Sequence, residues 1–249
     1  MQAVKTAVKK PFGMILATGP TGSGKTTTLY AILNLLNKEG VNIVTLEDPV
    51  EYFIEGVNQS QVKPEIGYSF AQGLTQVVRQ DPDVIMVGEI RDQETAALAI
   101  HAALTGHIVL STLHTNNAVG AIPRLIDMEI KPFLVSPALS IVIAQRLIGA
   151  LCVECKKKVK ADKNEQDLIL KEVQSLPESI KNKIKIPLPL MIYRAQGCKK
   201  CNSRGFAGRI GLFEVLEMTE PLAKIILKEP DEFNIAREAS RQGMITMRQ

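Results

Sequence analysis

The sequence predicts an α/β fold: a mostly parallel sheet flanked by helices, with a small inserted cysteine module and a helical C-terminal region. Three observations carry this. Up to about residue 151, short apolar runs of β type alternate with longer runs of helical period. A glycine-rich loop joins the first such strand to the first such helix. From Cys152 the composition turns Lys-rich and polar, with Pro177, Pro187 and Pro189 marking loops. The expected units are a core over 1–151, a module over 152–205 and helices over 206–249.

Residues 14–18 read as a strand running into the glycine loop. Residues 26–38 read as a helix, with Leu29, Ile32, Leu33 and Leu36 on one face and Gly40 as its stop. Residues 43–46 form a second strand ending at Glu47, Asp48 and Pro49. Residues 84–87 are four apolar residues in a row, as in a strand buried on both faces. An alanine-rich helix over 95–104 stops at Gly106, and a strand over 108–113 opens into His114. In the helical stretch 118–128, Pro123 predicts either a late start or a kink. Ser136 and Pro137 predict the start of a helix through Leu147. Pro221 and Pro230 stand near two further helix starts.

The chain has 249 residues, 45% of them apolar and 22% charged, which excludes collagen-like, coiled-coil and wholly disordered classes. No apolar run approaches the roughly 18–20 residues of a membrane span. Lys5, Lys9 and Lys10 before an apolar stretch imitate a signal peptide, but the stretch is too short, so a cytoplasmic location is expected. Of 30 Lys/Arg and 26 Asp/Glu, residues 152–204 hold 13 and 6, leaving 17 and 20 elsewhere. The basic character thus belongs to one segment. With 4% aromatics and no Trp, no nucleic-acid partner is expected.

Gly19, Pro20, Thr21, Gly22, Ser23, Gly24, Lys25 and Thr26 match the phosphate-loop pattern, and the expected nucleotide contacts extend to Thr27. The glycines let backbone N–H groups converge on phosphate oxygens, and the following helix N-terminus adds its positive dipole end. Lys25 is the candidate for the β- and γ-phosphates, and the Thr26 hydroxyl for Mg²⁺. A plain glycine-rich turn is the alternative, but strand, loop and helix in this order predict a P-loop that binds a nucleoside triphosphate. Glu47 and Glu89 each follow a strand, where parallel sheets bind ligands. Two such acids divide metal support and water activation; a single one would be a solvated cap.

The three histidines are His101, read as a surface or packing residue, and His107 and His114, at opposite ends of one predicted strand. His114, at the carboxyl end, is the better candidate for the γ-phosphate; His107 is a sensor or a structural histidine. Cys152 with Cys155 and Cys198 with Cys201 form two C-x2-C pairs separated by 42 residues. Two such turns complete a tetrahedral Zn²⁺ site, with a redox pair or buried thiols as rival readings. The nearby lysines offset the charge of such a centre or offer a surface to an anionic lipid or acidic partner.

Residues 19–26, 45–52, 79–92 and 105–116 resemble, in order, the Walker A loop, aspartate box, Walker B region and histidine box of the ATPases of type IV pilus assembly and type II secretion, the PilB/GspE family. The likeness covers nearly the whole chain. It implies a P-loop NTPase of the RecA-like type with ATP as its nucleotide, Glu47 as the base that activates water, Glu89 as the Mg²⁺-supporting acid, and His114 with His107 as nucleotide sensors. It places Arg79 and Arg91 near a subunit interface. The family has a tetracysteine module, which retraction-type relatives of the PilT kind generally lack. Implied partners are further copies in a homohexamer and an inner-membrane platform protein, with the motor at the membrane's cytoplasmic face. Against the family, the chain is expected to be the motor domain of a longer protein or a shortened relative, without the arginine-bearing preceding subdomain and the last helices. Rival functions are a RecA-like nucleic-acid motor and a nucleotide-binding adaptor with little turnover.

Overall fold

The structure, a computed structural model, describes residues 2–249. In chain order the elements are α1 (Gln2–Ala7), β1 (Gly13–Thr18), α2 (Lys25–Leu36), β2 (Ile43–Glu47), β3 (Asn58–Gln61), α3 (Phe70–Val77), β4 (Val84–Val87), α4 (Gln93–Leu104), β5 (Ile108–Leu113), α5 (Ala121–Asp127) and α6 (Pro132–Ala138). There follow β6 (Leu139–Leu151), β7 (Lys157–Lys160), α7 (Lys163–Ser175), α8 (Glu178–Lys181), β8 (Met191–Arg194), β9 (Phe206–Glu217), α9 (Glu220–Lys228) and α10 (Glu232–Arg241). One seven-stranded sheet has the order β3-β2-β4-β5-β1-β6-β9. Its first six strands run parallel, and β9 returns antiparallel on β6. β7 and β8 make a separate antiparallel pair.

Both faces of the sheet's centre are covered, which is why β1, β2, β4 and β5 are buried and largely apolar. Met14, Leu16, Ile85 and Val87 pack with residues of α3, α4 and α6, while Ile15, Ala17, Val84 and Met86 pack against α2. Helix starts are capped by side chains: Ser69 for α3, Asp92 for α4, Asp162 for α7, Thr219 for α9 and Asp231 for α10.

The helix expected from Ser136 through Leu147 is not there. Pro132 occupies the first turn of α6, Pro137 falls near its end, and the chain goes straight into β6. Residues 139–145 are buried on both faces beside β1, and such a run shows no period that separates helix from strand. The helical reading of 206–249 likewise fails over its first part. Residues 206–217 are β9, which completes the main sheet, and the helices begin at Glu220. Pro123 is explained by a late start, because α5 begins at Ala121 and the proline falls in the first turn, where no intrahelical N–H partner is needed.

Gly73 on α3 shows how tightly the sheet is covered. A Cβ there would lie 2.8 and 3.1 Å from the two Leu46 methyls, and Leu46 is fully buried. Gly73→Ala is expected to lose about 1–3 kcal/mol to overpacking, more than the roughly 1 kcal/mol that helix propensity returns. A thermal melt should show a lower midpoint; an unchanged or higher one would mean that the core yields there.

Candidate active site and metal centre

The phosphate loop leaves the carboxyl end of β1 and enters α2 at Lys25. Gly22 and Gly24 both have positive φ, 76° and 86°. A Cβ on Gly22 would meet nothing within 4 Å, so that part of the loop faces open space. Thr21, Gly22, Gly24, Lys25, Thr26 and Thr27 line a cleft of about 620 Å³, whose far side holds Glu47, Glu89, Arg91 and His114. Lys25 Nζ donates to the carbonyls of Gly19 (2.9 Å) and Pro20 (3.2 Å). Burial lowers its pKa, and the charge of Glu89 works against that fall. The Ser23 hydroxyl is buried without a hydrogen-bond partner among the described residues. An open glycine cradle, a lysine folded back on the loop and a hydroxyl in reserve suit a polyphosphate.

The two glutamates sit in different surroundings. Glu47 is 2% exposed. Its Oε2 accepts from the Tyr30 hydroxyl, and its Oε1 accepts from Thr45 Oγ1 (2.5 Å) and Gln59 Nε2 (3.0 Å). Burial and the Glu47 carboxylate raise the Tyr30 pKa, so the phenol stays protonated and donating. A carboxylate has about four lone-pair sites, so these three donors leave one, on Oε2. Glu89 pairs with Arg91, and its Oε2 lies 3.3 Å from His114 Nε2. Burial opposes its charge, but Arg91 and His114 together hold its pKa below the usual carboxylate value. Arg91 also reaches Asp48 at 3.8 Å.

His107 and Arg79 do not join this cleft. His107 lies at the amino end of β5, where its Nδ1 is 2.9 Å from the Ala102 carbonyl, and it lines a second cavity of about 640 Å³ with Lys9 and Lys38. Sequence spacing had already set the two histidines at opposite strand ends, and a strand of six residues keeps them apart. Arg79 sits in the 3-10 turn Val78–Gln80 behind α3. His101 is exposed on α4, the surface one of its two readings. The structure also brings in residues that sequence reasoning missed. Arg209 of β9 and Leu147 of β6 line the cleft, and Tyr30 and Gln59 hold Glu47. Only the tertiary fold unites them. No local pattern marks them.

The four cysteine sulfurs lie within 4.8 Å of one another. Three of their separations are 4.0 Å (Cys152–Cys198), 3.8 Å (Cys155–Cys201) and 3.7 Å (Cys198–Cys201). Thiolates bound at about 2.3 Å to one tetrahedral ion stand about 3.8 Å apart, so the cluster has the size of a metal site. Burial opposes ionisation of Cys201, but the amides of Cys198 and Gly205 donate to its sulfur and bring its thiol down to about 6. Burial instead pushes Cys155 up to about 11. An ion bound by all four must displace the Cys155 proton, so affinity should fall as pH is lowered. Elemental analysis should find about one metal ion per chain, and a chelator that strips it should lower the melting temperature. A metal-free preparation of unchanged stability would refute the centre.

A family model described as "Type II/IV secretion system protein" matches residues 1–249. The chain is 52% identical over 225 residues to the "Type II secretion system ATPase E" of Vibrio cholerae, covering 90% of this chain and 42% of that protein. It is 46% identical over 244 residues to the "Type IV pilus assembly ATPase PilB" of Myxococcus xanthus, covering 98% of this chain and 41% of that one. It thus spans under half the length of these relatives. Among solved structures it resembles the Legionella pneumophila ATPase DotB (TM-score 0.68, 25% identity, 99% of this chain and 57% of that one). It also resembles the pilus retraction motor PilT with bound ADP (TM-score 0.64, 28% identity, 98% and 61%). A match over the full sequence, with the phosphate loop, both strand-end glutamates and His114 facing one cleft, makes the chain a member of the type II/IV secretion system protein family.

Proposed function

We propose that the chain is the ATP-hydrolysing motor unit of a longer protein that powers type IV pilus assembly or type II protein secretion. The single observation behind this is the cleft in which Lys25 and Thr26 face Glu47, Glu89 and His114. The relatives named as ATPases of those two systems supply the direction of the work. No described helix is long and apolar enough to cross a membrane. In this reading six copies form a ring at the cytoplasmic face, against an inner-membrane platform protein. The cysteine cluster is read as a Zn²⁺ site held by Cys152, Cys155, Cys198 and Cys201.

In this reading the loop amides and Lys25 grip the nucleotide's phosphates, and Lys25 exchanges the Gly19 and Pro20 carbonyls for phosphate oxygens. Mg²⁺, when bound at the Thr26 hydroxyl and Glu89, supplies neutralising charge at the transferred phosphoryl group. Glu89 stays ionised for that task because Arg91 and His114 favour its charge. Glu47 takes the attacking water's proton on the remaining Oε2 lone pair, while Tyr30, Thr45 and Gln59 hold the carboxylate still. His114, bonded to Glu89, senses the γ-phosphate. Arg91 and Arg79 belong to the boundary with the next subunit, and His107 serves the opposite end of the sheet.

Glu47→Gln should leave nucleotide binding intact while slowing hydrolysis by the full-length protein about 10²–10⁴-fold. Turnover near wild type would transfer the base role elsewhere. Lys25→Ala should weaken Mg·ATP binding itself, and an unchanged dissociation constant would contradict the cradle. Turnover that rises with single-stranded DNA would favour a nucleic-acid motor. A complete absence of turnover in an assembled ring would favour an adaptor.

A further inference from the structure

We infer that Gln145 is a positioning residue for the phosphate loop, holding its path from the neighbouring strand with both side-chain and main-chain groups. This rests on reading the loop as the nucleotide site. Gln145 lies on β6, next to β1, and is 2% exposed. Its Nε2 donates to the Ser23 carbonyl at 2.5 Å, and its Oε1 accepts from Thr28 Oγ1 at 2.7 Å. Ser23 and Thr28 straddle Lys25, so one planar amide ties the loop to the first turn of α2 across the residue that must meet the phosphates. The amide offers a donor and an acceptor at that separation, and turning it over would set its oxygen against the Ser23 carbonyl.

The loop glycines carry the imprint of this contact. A Cβ on Gly24 would lie 2.9 Å from Gln145 Nε2, and a Cβ on Gly19 would lie 2.4 Å from the Gln145 main-chain carbonyl. A Cβ at either of these two motif glycines would thus run into Gln145, on top of the strain of their positive φ (141° and 86°), whereas Gly22 faces open space. The consequence for binding follows from peptide planarity. The Ser23 carbonyl and the Gly24 N–H belong to one trans peptide and point in opposite directions. Drawing that carbonyl toward β6 turns the Gly24 N–H away from β6, and Gly24 lines the cleft. Gln145 thereby aims a phosphate-binding donor without touching phosphate itself.

The test is calorimetric binding of Mg·ADP to the full chain and its variants. Gln145→Met matches the shape but can neither donate nor accept, and should raise the dissociation constant by about tenfold or more. Gln145→Glu provides a readout that a merely structural role would not move. As a carboxylate it repels the Ser23 carbonyl. As a neutral acid it donates through its hydroxyl and accepts through its carbonyl, as the amide does. The ratio of its dissociation constant to that of the wild type should be about tenfold or more at pH 8 and shrink toward pH 5.5. If Gln145→Met does not fold, the glutamate variant decides alone. Binding within about twofold of wild type, or a loss independent of pH, would overturn the inference. Wild-type protein that binds no Mg·ADP would remove the nucleotide reading along with it.

Discussion

β2, β4, β5 and β1 lie side by side and run the same way, with registers that pair Leu46 with Val87 and Val87 with Ser111. Each strand therefore releases its chain at the same edge of the sheet, and the residues that follow meet there. Gly88 N–H donates to the Leu46 carbonyl, Ile90 N–H to the Thr112 carbonyl and Thr112 Oγ1 to the Gly88 carbonyl. Glu47, Glu89 and His114 are thus carried by main chain that is already hydrogen-bonded across strands. Burial on both faces keeps that register, since a slip of one residue would send every side chain to the wrong face. The cleft inherits its precision from the core.

What was legible in the sequence follows the same physics. Strands next to the loop are largely apolar runs of four to six residues, and their helices carry period and stops, so 14–18, 43–46, 84–87 and 108–113 could be placed almost to the residue. The loop, both glutamates, His114 and the cysteine pairs could be read because their chemistry is local in sequence. The illegible parts depend on distant partners. β3 is the polar run Asn58–Gln61, a strand only because β2 lies beside it. β6 and β9 need each other, at separations of 55 to 76 residues. Gln145 meets Thr28 from 117 residues away, and Tyr30 meets Glu47 from across a helix–strand turn. Arg79 and His107 entered through the family resemblance, as an interface residue and a nucleotide sensor, and neither lines the cleft of this single chain.

The hairpin of β6 and β9 places the cysteine cluster relative to the loop. Its pairing runs from Ile141 with Glu217 out to Leu151 with Phe206, and the Cys152 N–H then donates to the Gly205 carbonyl. The cluster sits where the two strands part, so a bound ion would clamp the far end of the pair. Between the knuckles the spacer folds as β7, α7, α8 and β8, which is why a separation of 42 residues still closes one site. Gly149 and Gly211 lie beneath the rings of Phe206 and Phe213, which cover strand backbone that bears no side chain of its own.

At the opposite side of the cleft, the loop that carries His114 is tied to the last part of the chain. The Ala118 N–H donates to Glu214 Oε2 and the Met247 N–H to Glu214 Oε1, each at 2.9 Å, while Asn117 Nδ2 donates to Glu232 Oε1 at 3.1 Å. Glu214 is 5% exposed, and a buried carboxylate that loses its donors bears a large desolvation cost. The loop therefore cannot shift by itself. If His114 moves with its loop, β9 and the C-terminal segment must move too, or the Ala118–Glu214 and Asn117–Glu232 bonds must break. Any displacement that begins at the Glu89–His114 contact is consequently shared with the helices α9 and α10, which pack on each other, α9 also packing on α6.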